Sequence, residues 1–376
     1  MYKVRIASER EVSESREAWN HLVLQMRRPS FFCTWEWVVT WSEIFGQEAE
    51  SVVLFISREG ELKGVLPLAV NHRPGAKTWT PVRTLNFCGS ADLFPDHLDL
   101  VCKAEDAEIC LASVIDFLDR NFRAWDQLDI NGADEESQIL TYLKGHQGHR
   151  HLTVRKISSA PYLPLRGSFE EYLKSFGRKP RYNILRSRRI LYEQTGAEYR
   201  PCAPDRIEKG IEALFDLHRL RAGQKRIVST FSGQKLLKFH QNLALRLNKN
   251  GWLWLRFLEN GGEIMAALYA YVFGNRIFYY QMGFNPKWDK FSPGTVIVLE
   301  AIQEAFERGY DEFDFLRGDE GYKRHWTVQS RDLYRVRLYN NTLSGALSRR
   351  YGQLKEKARR FLKNSRRDNA IENAPV

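Results

Sequence analysis

The sequence predicts a mixed α/β fold built as two units, and three observations carry that prediction. The chain has 376 residues, more than one core usually serves. Hydrophobic residues make up 43% and aromatics 13%, with 22 Phe and 10 Trp, which is enough for buried sheets and excludes a disordered chain. In the second half a hairpin and a third strand precede a helix and a further strand, an order in which the helix joins parallel neighbours.

The first half alternates helices and strands. Met1 to Ile6 reads as a strand, Ser13 to Gln25 as a helix, and Phe31 to Trp41 as an aromatic segment. Ser51–Ser57 and Leu62–Val70 flank Arg58-Glu-Gly-Glu61, with Gly60 where a hairpin needs it. Short strands are expected at 84–88 and 97–101, a helix over 105–121 and a strand at 127–130. Pro161 and Pro164 lie among small residues over 158–164 and predict a boundary there, giving an N-terminal unit over 1–160.

The second unit is expected over 161–340. Ser168-Phe-Glu-Glu171 is a capping box, in which the Ser hydroxyl and the Glu carboxylate each accept from a helix-end N–H. Helices are predicted over 182–194, 205–221 and 233–248. Trp252–Leu258 and Glu263–Phe273 form a hairpin around Asn260-Gly-Gly262, followed by a strand at 276–283, a helix at 293–308 and a strand at 312–316. Residues 341–376 read as a basic amphipathic helix and a disordered tail: Leu343, Leu347, Tyr351, Leu354, Ala358, Phe361 and Leu362 recur at helical spacing.

That order, with Ala266-Ala-Leu-Tyr269, Tyr279-Tyr-Gln-Met-Gly-Phe284, Phe291-Ser-Pro-Gly-Thr295 and Asp314-Phe-Leu-Arg-Gly-Asp-Glu320, resembles the BioF2-like acetyltransferase domain of the GNAT superfamily. More narrowly it is similar to the CelD/BcsL group, associated with bacterial cellulose and other exopolysaccharide synthesis. Trp35-Glu-Trp-Val-Val-Thr-Trp41 and Gly64-Val-Leu-Pro-Leu-Ala69 carry the likeness into the first half. The resemblance implies tandem GNAT-like units, each a mixed twisted sheet flanked by helices, as in the related FemAB transferases.

It also implies acetyl-CoA or another acyl-CoA as co-substrate, with its pyrophosphate at the N-terminus of the helix after the splayed strand. Ser292 suits the N-cap, Pro293 the first helical position, and the N–H groups of Gly294, Thr295 and Val296 are expected to face phosphate, with charge from Lys290. The common GNAT pattern differs here in having Phe291 and Val296. The two-residue strand period puts Tyr280 and Met282 on one face and Tyr279 and Gln281 on the other, so Tyr280 and Gln281 are candidates to border the substrate.

Acyl transfer to an amine or hydroxyl needs a base, for which Asp319, Glu320 and Asp314 are candidates, and a proton donor for the leaving thiolate, for which Tyr322 occupies the family position. Arg317 and Lys323 are candidates for an anionic substrate, with His325 assisting. His146-x-x-His149-x-His151 lacks partner Cys or carboxylate spacing, and no metal is expected. No H-E-x-x-H, G-x-S-x-G or Walker loop is present.

The net charge of +11 concentrates at 349–367, with nine Lys or Arg against Glu356, and at 174–189, with seven and no acid. Such fields favour anionic partners. The expected acceptor is a small-molecule or lipid-linked saccharide, with peripheral contact to anionic membrane through 343–367. Two other readings stay open: an aminoacyl-tRNA donor, as in FemAB relatives, and a non-catalytic module binding RNA or membrane. Five scattered cysteines, the lack of an export pattern at the start and the lack of a long apolar run place the expectation in a reducing cytoplasm.

Overall fold

The computed structural model describes residues 1–73, 82–122, 125–146, 151–224, 231–318 and 320–354. The first half runs β1 (Tyr2–Ile6), α1 (Glu9–Glu14), α2 (Arg16–Leu24), α3 (Trp35–Phe45), β2 (Glu50–Arg58), β3 (Glu61–Arg73), β4 (Val82–Phe87), β5 (Val101–Cys102), α4 (Ala107–Arg120), β6 (Gln127–Asp134), α5 (Gln138–Gly145) and β7 (His151–Pro164). The second runs α6 (Phe169–Ser175), α7 (Arg178–Thr195), β8 (Glu198–Pro201), α8 (Ile207–Gln224), α9 (Gln234–Lys249), β9 (Leu253–Asn260), β10 (Glu263–Phe273), β11 (Arg276–Phe284), α10 (Pro293–Glu307), β12 (Glu312–Asp314) and β13 (Ser330–Tyr339). Backbone at 343–354 is helical.

From β1 and from β8 onward the halves repeat one plan: a strand, helices, an antiparallel meander, a crossover helix and a parallel strand. Among the described residues all thirteen strands join in one sheet, ordered β1-β2-β3-β4-β6-β13-β7-β12-β11-β10-β9-β8, with β5 paired to β3 off this path. The last strand of each half is exchanged. β13 lies against β6, and β7 lies against β12, while β7 and β13 pair with each other. Neither half completes its sheet alone.

The segment expected to interrupt the fold at 158–164 is therefore the end of a central strand. Pro161 stands where β7 leaves β13 and passes to β12, a place where a missing N–H costs no ladder bond, and its carbonyl accepts from Phe315 N–H at 2.9 Å. The strand expected at 97–101 shrinks to Val101–Cys102, because His97 has φ 53°, outside extended backbone. The final strand keeps its ladder only at 312–314, since Leu316 has φ 56°. No element was expected over 330–339, where β13 runs.

One core runs through both halves. Phe31 stacks on Tyr271 with centroids 4.1 Å apart, and Trp37 meets Phe239 edge-on at 5.2 Å, so the aromatic segment of the first half packs on the second. A second core lies on the other face of β9–β12, beneath α7 and α10. Between the halves sits a buried ionic network. Arg28 reaches Glu312 at 2.9 Å, Asp314 at 3.0 Å and Asp134 at 3.4 Å; Arg331 reaches Glu312 at 2.6 Å; His97 bridges Asp134 at 2.9 Å and Asp314 at 3.0 Å.

Burial alone would lower the His97 pKa, but the Asp314 and Asp134 carboxylates outweigh it and raise it to about 9. The imidazole is thus a cation at neutral pH and balances the three acids together with both arginines.

Candidate active site

β11 and β12 pair in parallel only over Arg276–Phe278 and Glu312–Asp314. Past that point β11 continues to Phe284 while the segment after β12 turns away at Leu316, so the sheet opens in a V. α10 starts at its mouth. A cavity of about 490 Å³ fills the opening, with Met282 and Phe284 from β11, Gly294 and Thr295 from α10, Arg221 from α8, and Tyr322 and His325 on the far wall. α7 edges it through Pro180, Asn183 and Ile184.

Gly294 lets helix and strand approach this closely. A Cβ there would lie 3.1 Å from Phe284 and 3.2 Å from Met282. The start of the helix differs from the expected cap: Ser292 occupies the N-cap position in a left-handed conformation, φ 54°, and its side chain caps nothing. Its carbonyl instead accepts from both Thr295 and Val296 N–H, at 3.0 and 3.1 Å. Pro293 has no N–H, which leaves Gly294 N–H as the amide of the first turn without a hydrogen bond inside the helix. No acid lies in that first turn, although Asp289 lines the pocket nearby. An anion entering the V meets the positive helix end and Arg221.

Ser292, Gly294, Thr295, Tyr322 and His325 line this cavity. Val296 is buried in the core, and Lys290 is exposed with its ammonium 4.7 Å from the Phe291 ring centre. Tyr322 Oη lies 3.5 Å from Tyr279 Oη; the residue is 36% exposed, and partial desolvation of its hydroxyl raises the pKa above the usual phenol value. Glu320 is exposed and pairs with Lys323 at 3.0 Å. Asp319 lies outside the described residues.

Three candidates are engaged in holding the fold. Asp314 is fully buried in the inter-half network, its pKa lowered, against the cost of burial, by His97 and Arg28. Arg317 takes Asp96 with its backbone N–H at 2.7 Å and its guanidinium at 2.5 Å, and donates to Pro95 O at 2.8 Å. Gly132 permits that reach, since a Cβ there would lie 2.8 Å from the guanidinium. Lys323 is buried, and its ammonium donates to Arg317 O at 2.7 Å, stapling the turn.

The simple alternation expected along β11 fails at a β-bulge. Ala270 pairs with Tyr279 and Tyr269 with Gln281, so Tyr280 is an extra residue. Met282 consequently shares the cavity side with Tyr279, while Tyr280 turns to the opposite face, among Tyr271, Tyr269 and His240, with centroids 5.2, 6.0 and 5.0 Å away. Gln281 accepts from Met282 N–H through Oε1 at 3.0 Å. On the Tyr280 face Tyr269 Oη, Tyr271 Oη, both His240 nitrogens and Trp37 Nε1 are buried without a hydrogen-bond partner among the described residues. Arg221, Tyr271 and His240 are the residues that motif reading does not find: they come from helices and a strand far apart in sequence. His146 stacks on Tyr142 at 4.3 Å, and His149 lies outside the described residues.

Residues 178–324 match the family model described as an acetyltransferase (GNAT) domain. Among curated protein sequences, none matches this chain. Solved structures similar to it include FemX, at 12% identity and TM-score 0.60 over 88% of this chain and 96% of that one. Another is the C-terminal domain of a putative lysylphosphatidylglycerol synthetase from Agrobacterium fabrum, at 12% identity and TM-score 0.54 over 89% and 95%. A third, L-PGS from Bacillus licheniformis, has 12% identity and TM-score 0.50 over 81% and 93%. At such identity these neighbours speak to fold. The chain is thus a mixed α/β protein whose two halves repeat one plan, and its residues 178–324 are similar to an acetyltransferase (GNAT) domain.

Proposed function

We propose that the protein is an acyltransferase that takes an acyl group from acyl-CoA, acetyl in the leading case, and transfers it to an amine or hydroxyl of an envelope or exopolysaccharide precursor. The observation that carries the donor side is the V between β11 and β12, closed by a helix N-terminus whose Gly294 N–H has no hydrogen-bond partner among the described residues and whose first turn has no acid. Bound acyl-CoA would supply a thioester carbon open to attack and a thiolate leaving group. Gly294 N–H and Arg221 suit its phosphates, and Met282 and Phe284 its apolar arm.

Tyr322, a phenol that is protonated at neutral pH, donates the proton that the departing sulfur needs, with Tyr279 as its hydroxyl neighbour. The acceptor's own proton leaves to Glu320 or His325, directly or through water. The acceptor class rests on the likeness to the CelD/BcsL group. An aminoacyl-tRNA donor is the second reading, favoured by Arg178, Lys179 and Arg181 on α7 beside the cavity, which have no ion pair among the described residues.

Isothermal titration with CoA and acetyl-CoA separates the two. The proposal expects saturable binding well below about 1 mM, the upper range of common substrate constants. Absence of binding up to that concentration removes the acyl-CoA reading.

A further inference from the structure

Most surface helices bury an apolar stripe and turn polar residues to water. The helix at 343–354 does the reverse. Its inner side is small and polar: Gly345 is buried against Asp126 O, Thr342 Oγ1 donates to Asp126 at 2.8 Å, and Ser348 Oγ donates to Gln127 at 3.0 Å. The outward stripe is apolar, with Leu343 80%, Leu347 41%, Tyr351 41% and Leu354 66% exposed. These four recur at intervals of four, four and three residues, so they form one continuous face. The sequence then carries the basic run of 349–367, nine Lys or Arg against one Glu.

We propose that this face docks on an anionic lipid bilayer, with the stripe Leu343, Leu347, Tyr351 and Leu354 in the acyl boundary. Charge decides the occupant. A second copy of the helix would bring two strongly basic segments together, whereas an anionic surface attracts them and also takes up the leucines. No helix among the described residues is long and apolar enough to cross a membrane, so the contact is peripheral. Docking of this kind does not depend on the acyltransferase reading.

Vesicle flotation of the full chain tests it, using pure phosphatidylcholine and phosphatidylcholine mixed with phosphatidylglycerol. The protein should float with the anionic vesicles alone and release as salt rises. The double variant Leu347→Glu, Leu354→Glu should bind at least about tenfold more weakly with an unchanged melting temperature, both side chains being exposed. Absence of anionic-vesicle binding overturns the proposal. So does binding that the double variant leaves intact, which would assign attraction to charge elsewhere. A variant that melts earlier, or a wild-type dimer on light scattering that the variant dissociates, shows the stripe covered by residues 355–376 or by a second copy and equally overturns it.

Discussion

β4 and β11 hold the same place in the two halves, each ending an antiparallel meander and each paired in parallel with the strand beyond a crossover helix. β11 runs on from its last parallel partner, Phe278, to Phe284; β4 stops at Phe87, one residue after Asn86. The segment that follows carries the buried Leu93, Leu98 and Leu100, and Leu98 N–H donates to Gly132 O of β6 at 3.0 Å. The helix N-termini differ in the same sense. Glu105, Asp106 and Glu108 surround the start of α4, whereas the first turn of α10 has no acid. Acids at a helix N-terminus satisfy its dipole and repel phosphate. One plan thus gives a closed half that braces and an open half that can hold an anionic donor.

The braces are the place to break the comparison hardest. Residues 165–354 expressed alone lack β7, the strand between β12 and β13, and should show no cooperative unfolding; co-expression with residues 1–164 should restore a folded complex, read by circular dichroism and gel filtration. A stable 165–354 fragment would mean that the halves are independent. Next in size is the ionic network. His97→Gln leaves Asp134 and Asp314 short of a buried cation and should cost on the order of 3 kcal/mol in urea unfolding at pH 7.

The sign of its pH dependence follows from the raised pKa. The folded state holds the His97 proton more tightly than the unfolded chain, so this stabilisation is full below the ordinary imidazole value of 6.5 and fades as pH rises through about 9. Wild type should lose stability over that interval, and the Gln variant should lose much less.

Contrast between the two helix N-termini is sharpened by Gly294→Asp. A side chain there enters the space of Phe284 and Met282 and adds negative charge, so CoA affinity should fall about 100-fold, some 2.7 kcal/mol. Glu105→Gln, at the start of α4, should leave it unchanged. Tyr322→Phe should lower turnover about 10- to 100-fold at constant CoA affinity, since it removes a proton and little else. Lys290→Ala, at an exposed site, should change CoA affinity less than about twofold.

Much of this was legible in the chain. The hairpin at Asn260-Gly-Gly262, the Ser168 capping box and the α8 and α9 periodicities all appear close to where spacing puts them. Bulges hid the rest. On β13 the buried Leu333 and Val336 are three apart because of irregular pairing near Tyr334, so a period of two does not reveal the strand. On β11 the bulge at Tyr280 moves Met282 to the side of Tyr279. The segment 313–326 locates one wall of the cavity through Tyr322, yet its Asp314, Arg317 and Lys323 are spent on partners that no local pattern announces, Arg28 and Asp96 among them.

Amide hydrogen exchange with and without CoA tests the asymmetry most directly. Protection should appear at Met282–Phe284 and at Gly294, with the start of α4 at Ala107 unchanged. Equal protection at the two helix N-termini, or none at Gly294 under conditions where CoA is bound, would contradict an open half and a closed one.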